Sequence, residues 1–322
     1  MISCKTPGRL SFLFLGGAKR VAMAKMLRKA CAARGFECDI TGYELDAHSA
    51  LACEAEIREG LRWGDPEIFR DIDRVVDERK VDIILPFVDG AVGVAAEYVS
   101  RYGSGLVFCP VSGRALAERM FDKIAAAELF ERLGLPVPAT YKAGAPCGKL
   151  IAKPRFGSAS KGIVNIDSIG KLYELNTGKY LIQERIDNRE EITVDCYVGV
   201  ESGFIAAVSP RLRCEVSGGE VVRTETIDDA DAVALVRRVL EATGLRGAVT
   251  VQLLRDLDSG RLLVMEINPR LGGGAVASVH ASVDLPGLII DDALGRELRE
   301  NNPVAGVETV RYLEDVVFYP EK

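Results

Sequence analysis

The nine residues Leu262-Leu263-Val264-Met265-Glu266-Ile267-Asn268-Pro269-Arg270 constrain this chain more than any other stretch. An apolar run leads into a carboxylate, an amide and a guanidinium at alternate positions. Successive side chains of a strand point to opposite faces, so Glu266, Asn268 and Arg270 are expected on one face while Met265 and Ile267 pack behind. A carboxylate and an amide oxygen two residues apart suit Mg²⁺, a hard ion that takes oxygen ligands and keeps substrate phosphates in its shell. Arg270 would then stand beside those phosphates.

The chain around this stretch is too long for one ordinary core: 322 residues predict two or three units. Hydrophobic residues make up 48% and charged residues 27%, the composition of a folded protein. A net charge of −6 argues against a nucleic-acid or acidic-membrane surface, so neither partner is expected. The eight cysteines are scattered without a CxxC pair and read as reduced thiols, which predicts a cytoplasmic protein. Residues 10–15, preceded by Lys5 and Arg9, imitate the start of a signal peptide. The run is short and Lys19-Arg20 follow at once, so it reads as a first strand. No run approaches the roughly 18 to 20 apolar residues of a spanning helix.

The first third alternates strand and helix patterns. After residues 10–15, Gly16-Gly17 turns the chain into a helix with Val21, Ala24, Leu27 and Cys31 at helical spacing, stopped by Gly35. Strands are predicted at 36–41, 81–85 and 106–109, with a helix over 92–98. Asp65-Pro66 reads as an N-cap with proline at the first helical position, opening a helix that carries Ile68, Ile72, Val75 and Val76. Such alternation predicts a parallel sheet with helices on both faces. A second unit starts near Ser112 with a helical region running to Gly134, then short strands at 149–153, 162–166 and 180–184. The third, from about Glu191, has strands at 192–199 and 203–208, a polar turn-rich stretch over 211–226, a helix over 229–243, and paired strands at 248–255 and 261–267 joined through Asp258-Ser259-Gly260.

Several clusters carry chemistry. Lys153 ends a strand that feeds Gly157-Ser158-Ala159-Ser160-Lys161-Gly162, where small residues would let backbone N–H groups approach phosphate oxygens; a plain hairpin turn is the rival reading. Lys123 follows Asp122 at a helix start that Asp122 can cap; alone it would be a solvated lysine. Gln183, Glu184 and Ile186 end a strand shortly before Glu191 and could offer backbone groups and a carboxylate to a base and a ribose, or form an ordinary polar loop. Arg211 and Arg213 alternate with Leu212 and would aim two guanidinia at one face, suited to an anion; a solvated strand face weighs equally, and Arg223 is a further candidate. Gly272, Gly273 and Gly274 form either an anion-binding turn or a simple reversal. His48 and His280 are the only histidines, so histidine acid–base chemistry is poorly supported. At Leu15-Gly16-Gly17-Ala18 the dinucleotide pattern GxGxxG fails, because Val21 stands where its last small residue belongs.

The order of these features resembles the ATP-grasp superfamily, in particular the synthetase domains of the carbamoyl-phosphate synthase large subunit and small stand-alone relatives. The resemblance implies an α/β and α+β chain. A flavodoxin- or Rossmann-like unit over residues 1–112 would precede the two ATP-grasp subdomains, 113–190 and 191–322. It assigns ATP contacts to Lys123, Lys153, Gly157, Ser158, Ser160, Gly162, Gln183, Glu184, Ile186 and Glu191. Gln252, Glu266 and Asn268 become the Mg²⁺ set, with Mn²⁺ as a substitute ion, and Gln252 stands where many members carry an acid. Arg270 matches the arginine beside the transferred phosphate; it and Lys153, together with Arg211 and Arg213 from the alternation above, are the candidate catalytic cations, and Gly17, Asp89 and Gly90 are possible substrate contacts. The implied activity is ligation of a small carboxylic acid to an amine through an acyl phosphate, with bicarbonate or carbamate phosphorylation and a non-catalytic nucleotide site as alternatives. Related enzymes are often homodimers.

Overall fold

The computed structural model describes residues 6–102, 106–141, 148–157, 161–175 and 177–319. Its first unit runs β1 (Arg9–Leu15), α1 (Val21–Ala33), β2 (Glu37–Glu44), β3 (Glu56–Glu59), α2 (Ile68–Arg79), β4 (Ile83–Pro86) and α3 (Asp89–Tyr102). The four strands are parallel in the order β3-β2-β1-β4, which is the order of a Rossmann half and not of a flavodoxin sheet. β1 is apolar on both faces because both are covered. Leu10, Phe12 and Phe14 share a core with Met23, Ala24 and Leu27 of α1, while Leu13 and Leu15 join Ile72 and Val75 of α2 and Val92 of α3.

Two expectations shift here. Residues 106–109 make only a single bridge, Phe108 to Ile83, because Pro110 follows and cannot extend the ladder. Asp65 does not cap α2: its carboxylate accepts the Glu67 N–H at 2.9 Å, forming a separate turn, and the helix starts at Ile68.

The helix expected to run to Gly134 is two helices, α4 (Arg114–Phe121) and α5 (Lys123–Arg132), broken at Asp122. Extended there, Asp122 caps α5 by accepting from the Ile124 and Ala125 N–H groups, and Arg155 holds the carboxylate from the other side at 2.6 Å. Then come β5 (Leu150–Pro154), β6 (Val164–Ile166), α6 (Ile169–Tyr173) and β7 (Tyr180–Glu184). These strands form an antiparallel sheet in the order β6-β5-β7.

The last unit runs β8 (Arg189–Val198), β9 (Ile205–Ser217), β10 (Glu220–Thr226), α7 (Ala230–Thr243), β11 (Gly247–Asp256), β12 (Leu262–Asn268), α8 (Val276–His280), α9 (Leu285–Ala293) and β13 (Glu308–Val310). Its six strands pair antiparallel as β12-β11-β8-β9-β10-β13. The stretch 211–226, expected as turns, is the β9–β10 hairpin, closed by Gly218 and Gly219 at φ +57° and +80°. One face of the sheet is apolar: Ile192, Val194, Val249, Val251 and Leu253 pack with Val236, Val239 and Leu240 of α7. Each such buried side chain contributes about 1.5–3 kcal/mol. The opposite face of β8, β9, β11 and β12 is polar and carries the site. Finally, α9 docks on α1 through Leu285, Leu288 and Ile289, and Arg34 grips Asp291 with two bonds of 3.0 and 2.7 Å.

Candidate active site

The polar face is assembled in rows by strand register. Glu266 stands opposite Gln252, which stands opposite Thr193, which stands opposite Arg211. The neighbouring row is Asn268, Thr250, Asp195 and Ser209. A bulge between Gln252 and Leu253 leaves Met265 as an extra residue, so it does not share a face with Ile267 as alternation predicted. Ile267 enters the α7 core with Val264, whereas Met265 joins Ile186, Leu254 and Leu263 in a small apolar patch.

Glu266 and Asn268 line a cleft of ≈ 430 Å³ together with Lys123 and Gly157 from the middle unit and Trp63, Asp89 and Gly90 from the first. The Lys123 ammonium donates to the Gly157 carbonyl at 2.6 Å, and Lys153 donates to Gln183 Oε1 at 3.1 Å. Gln183 is buried and held by its own donation to the Pro138 carbonyl. Burial pulls the Lys153 pKa down to about 8, with Lys123 lowering it further and Glu266 opposing the shift. Among the described residues Glu266 has no hydrogen bond or ion pair within contact distance. A narrow slot behind the cleft is lined by Met120, Val137, Lys153, Leu181, Gln183 and Met265. Gly157 and Gly162, at φ +119° and +74°, flank the small-residue loop; Ser158 and Ser160 lie outside the described residues.

Other predicted residues are engaged differently. Arg261 grips both Glu184 oxygens at 2.9 Å, and Oε1 also accepts the Ala139 N–H. Glu191 sits between Arg189 and Arg213, each at 3.4 Å. Arg213 Nε is the atom that faces Glu191, across 3.4 Å and without a hydrogen bond, and the buried Thr193 and Ser209 hydroxyls on the same face have no hydrogen-bond partner. Arg211 is paired inside the protein. It is 2% exposed, and Asp195 takes its Nε at 2.8 Å and its Nη2 at 3.4 Å, while Ser278 donates to the same carboxylate. It lies directly under the glycine turn, with Nη1 2.7 Å from where a Cβ at Gly274 would stand. Arg223 pairs with Glu308 at the surface and does not join. Beside Gly17 and Ala18 lies Glu44, whose pKa burial raises to about 7 against the opposing pull of their backbone N–H groups. Arg270 reaches across to Asp89 at 2.7 Å.

Sequence reasoning missed Trp63, whose indole packs where a Gly90 side chain would stand, and the pair Arg20 and Arg311.

Gln252, Glu266 and Asn268 fit a divalent ion of the Mg²⁺ class. They offer one unpaired carboxylate and two amides, few enough ligands that such an ion would keep phosphate oxygens or water as the rest of its shell. Among the described residues no cluster of three or more His, Cys, Asp or Glu offers a closed metal cage.

Residues 177–316 match a family model described as an ATP-grasp in the biosynthetic pathway with Ter operon. The structure superposes on N5-carboxyaminoimidazole synthetase from Staphylococcus aureus with a TM-score of 0.72 at 17% identity, covering 92% of this chain and 80% of that one. The chain has an ATP-grasp fold. Biotin carboxylase from Campylobacter jejuni, solved with a β-γ-ATP ligand, gives 0.71 at 18% identity over 90% and 72% of the two chains. L-amino acid ligase from Bacillus licheniformis gives 0.68 at 16% over 92% and 76%. No curated protein matches by sequence. Among the described residues no helix is long and apolar enough to cross a membrane. In this ATP-grasp fold the cleft is lined by residues that follow β4 and β5 and by Glu266 and Asn268 of β12.

Proposed function

We propose that this protein is an ATP- and Mg²⁺-dependent ligase that activates a carboxylic acid as an acyl phosphate and passes it to an amine. The observation that carries the reading is Glu266, an unpaired carboxylate opposite Gln252, facing a cleft that also holds Lys123 and Asn268. Adenine would enter at the slot lined by Met120, Val137, Leu181 and Met265, with Gln183 at its polar edge. The phosphates extend towards Lys123, Lys153 and the loop from Gly157 to Gly162. Gln252, Glu266 and Asn268 hold Mg²⁺, or Mn²⁺ in its place; the ion supplies charge neutralisation on the phosphates. Lys153 and Arg270 hold charge beside the transferred group, and phosphoryl transfer needs little else from protein than such positioning. Residues 1–112 form the wall for the acid, and 113–190 and 191–322 the two halves that enclose the nucleotide.

The test is ADP release from Mg-ATP across a panel of carboxylic acids, amino acids and bicarbonate, with hydroxylamine as a trap. Acid-dependent ADP with a matching hydroxamate is the expected result. Bicarbonate-dependent ADP without hydroxamate would replace the ligase reading by a carboxylating one, and absence of ATP binding would overturn both.

A further inference from the structure

Beside Arg270 the structure gathers cations that the reaction above does not use. A Cβ built at Gly273 would stand 3.0 Å from Arg20 Nη1 and 3.2 Å from Arg311 Nη2, so two guanidinia from opposite ends of the chain converge on one backbone position. Arg311 donates to the Gly273 carbonyl and, at 2.8 Å, to Glu220 Oε2. Lys19 stands 3.8 Å from the other Glu220 oxygen. Arg20 Nε is buried without a partner. Burial lowers the Arg20 pKa against the pull of Glu220, and the nearby charges of Arg270 and Arg311 lower it further. Among the described residues Lys19, Arg20, Arg270 and Arg311 thus face only Glu220 and Asp89 as counter-charges, in a protein that is acidic as a whole. Like charges held together without enough counter-charge are costly unless something supplies it.

We infer that Arg20 and Arg311 form an anion subsite beside the cleft that binds a second negative group of the acid substrate, a distal carboxylate or a phosphate. The inference rests on the ligase reading for the role of the bound acid, but not for the existence of the site. Guanidinia suit both groups, since each offers paired oxygens to a planar fork of donors. Gly273 has no side chain because one there would fill the space between the two forks. Glu220 acts as the internal occupant of one arm, holding Arg311 in place until the substrate anion competes for it. The substrate class is therefore a dicarboxylic or phosphorylated acid, and simple monocarboxylates are poor substrates.

Two readouts separate this subsite from the ligase reading. The first is binding of succinate, butyrate and phosphonoacetate by calorimetry without nucleotide; the second is kcat/KM for the same acids with Mg-ATP. Succinate or phosphonoacetate is expected to bind and butyrate not, and the preferred one of the two names the anion. Arg20→Gln and Arg311→Gln should each lower the dianion-over-butyrate ratio by about 10- to 100-fold, with Arg311→Lys falling between. Glu220→Gln should do the opposite and tighten dianion binding, a gain that misfolding cannot produce. Equal binding of butyrate and the dianions, or an unchanged ratio in both glutamine variants, would overturn the subsite while leaving a ligase. Dianion binding with no acid-dependent ADP release would overturn the ligase and leave the subsite.

Discussion

The polar face of the six-stranded sheet holds two regions one strand apart that treat their charges in opposite ways. At its centre, Asp195 of β8 and Arg211 of β9 neutralise each other, each 2% exposed, with Ser278 and Thr224 completing the network. At its edge, Glu266 of β12 shares a row with the uncharged Gln252, and its carboxylate faces a cleft. The residue types are alike and the strand register is continuous. What differs is whether a charge finds its partner inside the protein, and that separates a structural ion pair from a residue kept for a ligand. A buried charge left alone is expensive, so it persists where a ligand compensates it.

Breaking the two regions should therefore give opposite phenotypes. Glu266→Gln is expected to reduce Mg-ATP turnover by at least about 10³-fold and to leave the denaturant midpoint unchanged, since no internal partner is lost. Steady-state ADP release and urea unfolding on the same preparation check it, and an active variant would remove Glu266 from the metal set. Arg211→Met should instead destabilise the fold by about 3–5 kcal/mol, because Asp195 is left buried and unpaired. Adding Asp195→Leu to that variant should recover much of the loss. Unfolding of the single and double variants measures the coupling directly. A double variant no better than the single would show that the pair is not the unit.

How much of this was legible in the sequence follows the same division. β1 announced itself because both its faces are covered, and α5 announced its start through Asp122. The Glu266–Arg270 alternation named its face before any fold was known. The β9–β10 hairpin was hidden because its residues alternate between core and a polar functional face, which imitates a loop. Arg211 looked identical to a ligand-binding arginine, since nothing local says that Asp195 lies on the adjacent strand. The Met265 bulge breaks the strict alternation on which strand reading depends. Arg20 and Arg311 come from the two ends of the chain, and only the docking of the last unit on the first brings them together.

The smaller effects sharpen the comparison at Lys153, which lies between the two behaviours: it donates to Gln183, yet burial holds its pKa near 8. Lys153→Ala should weaken ATP binding by about 10- to 100-fold. The proton balance is the finer test. With its folded pKa below the ordinary lysine value, Lys153 in the empty site binds fewer protons than in the unfolded chain between pH 8 and 10.5, so its contribution to stability rises with pH across that window. ATP reverses the preference, because phosphate charge favours the ammonium form. Binding at pH 8 should then take up about half a proton through this residue, and almost none at pH 6.5, where the ammonium is already formed. Calorimetry in two buffers of different ionisation enthalpy reads the number directly. Lys153→Arg, permanently charged, should lose the uptake at pH 8 while still binding ATP. Uptake that survives this substitution would mean that another group titrates and that Lys153 is already charged in the empty cleft, as fully compensated as Arg211 on the floor below.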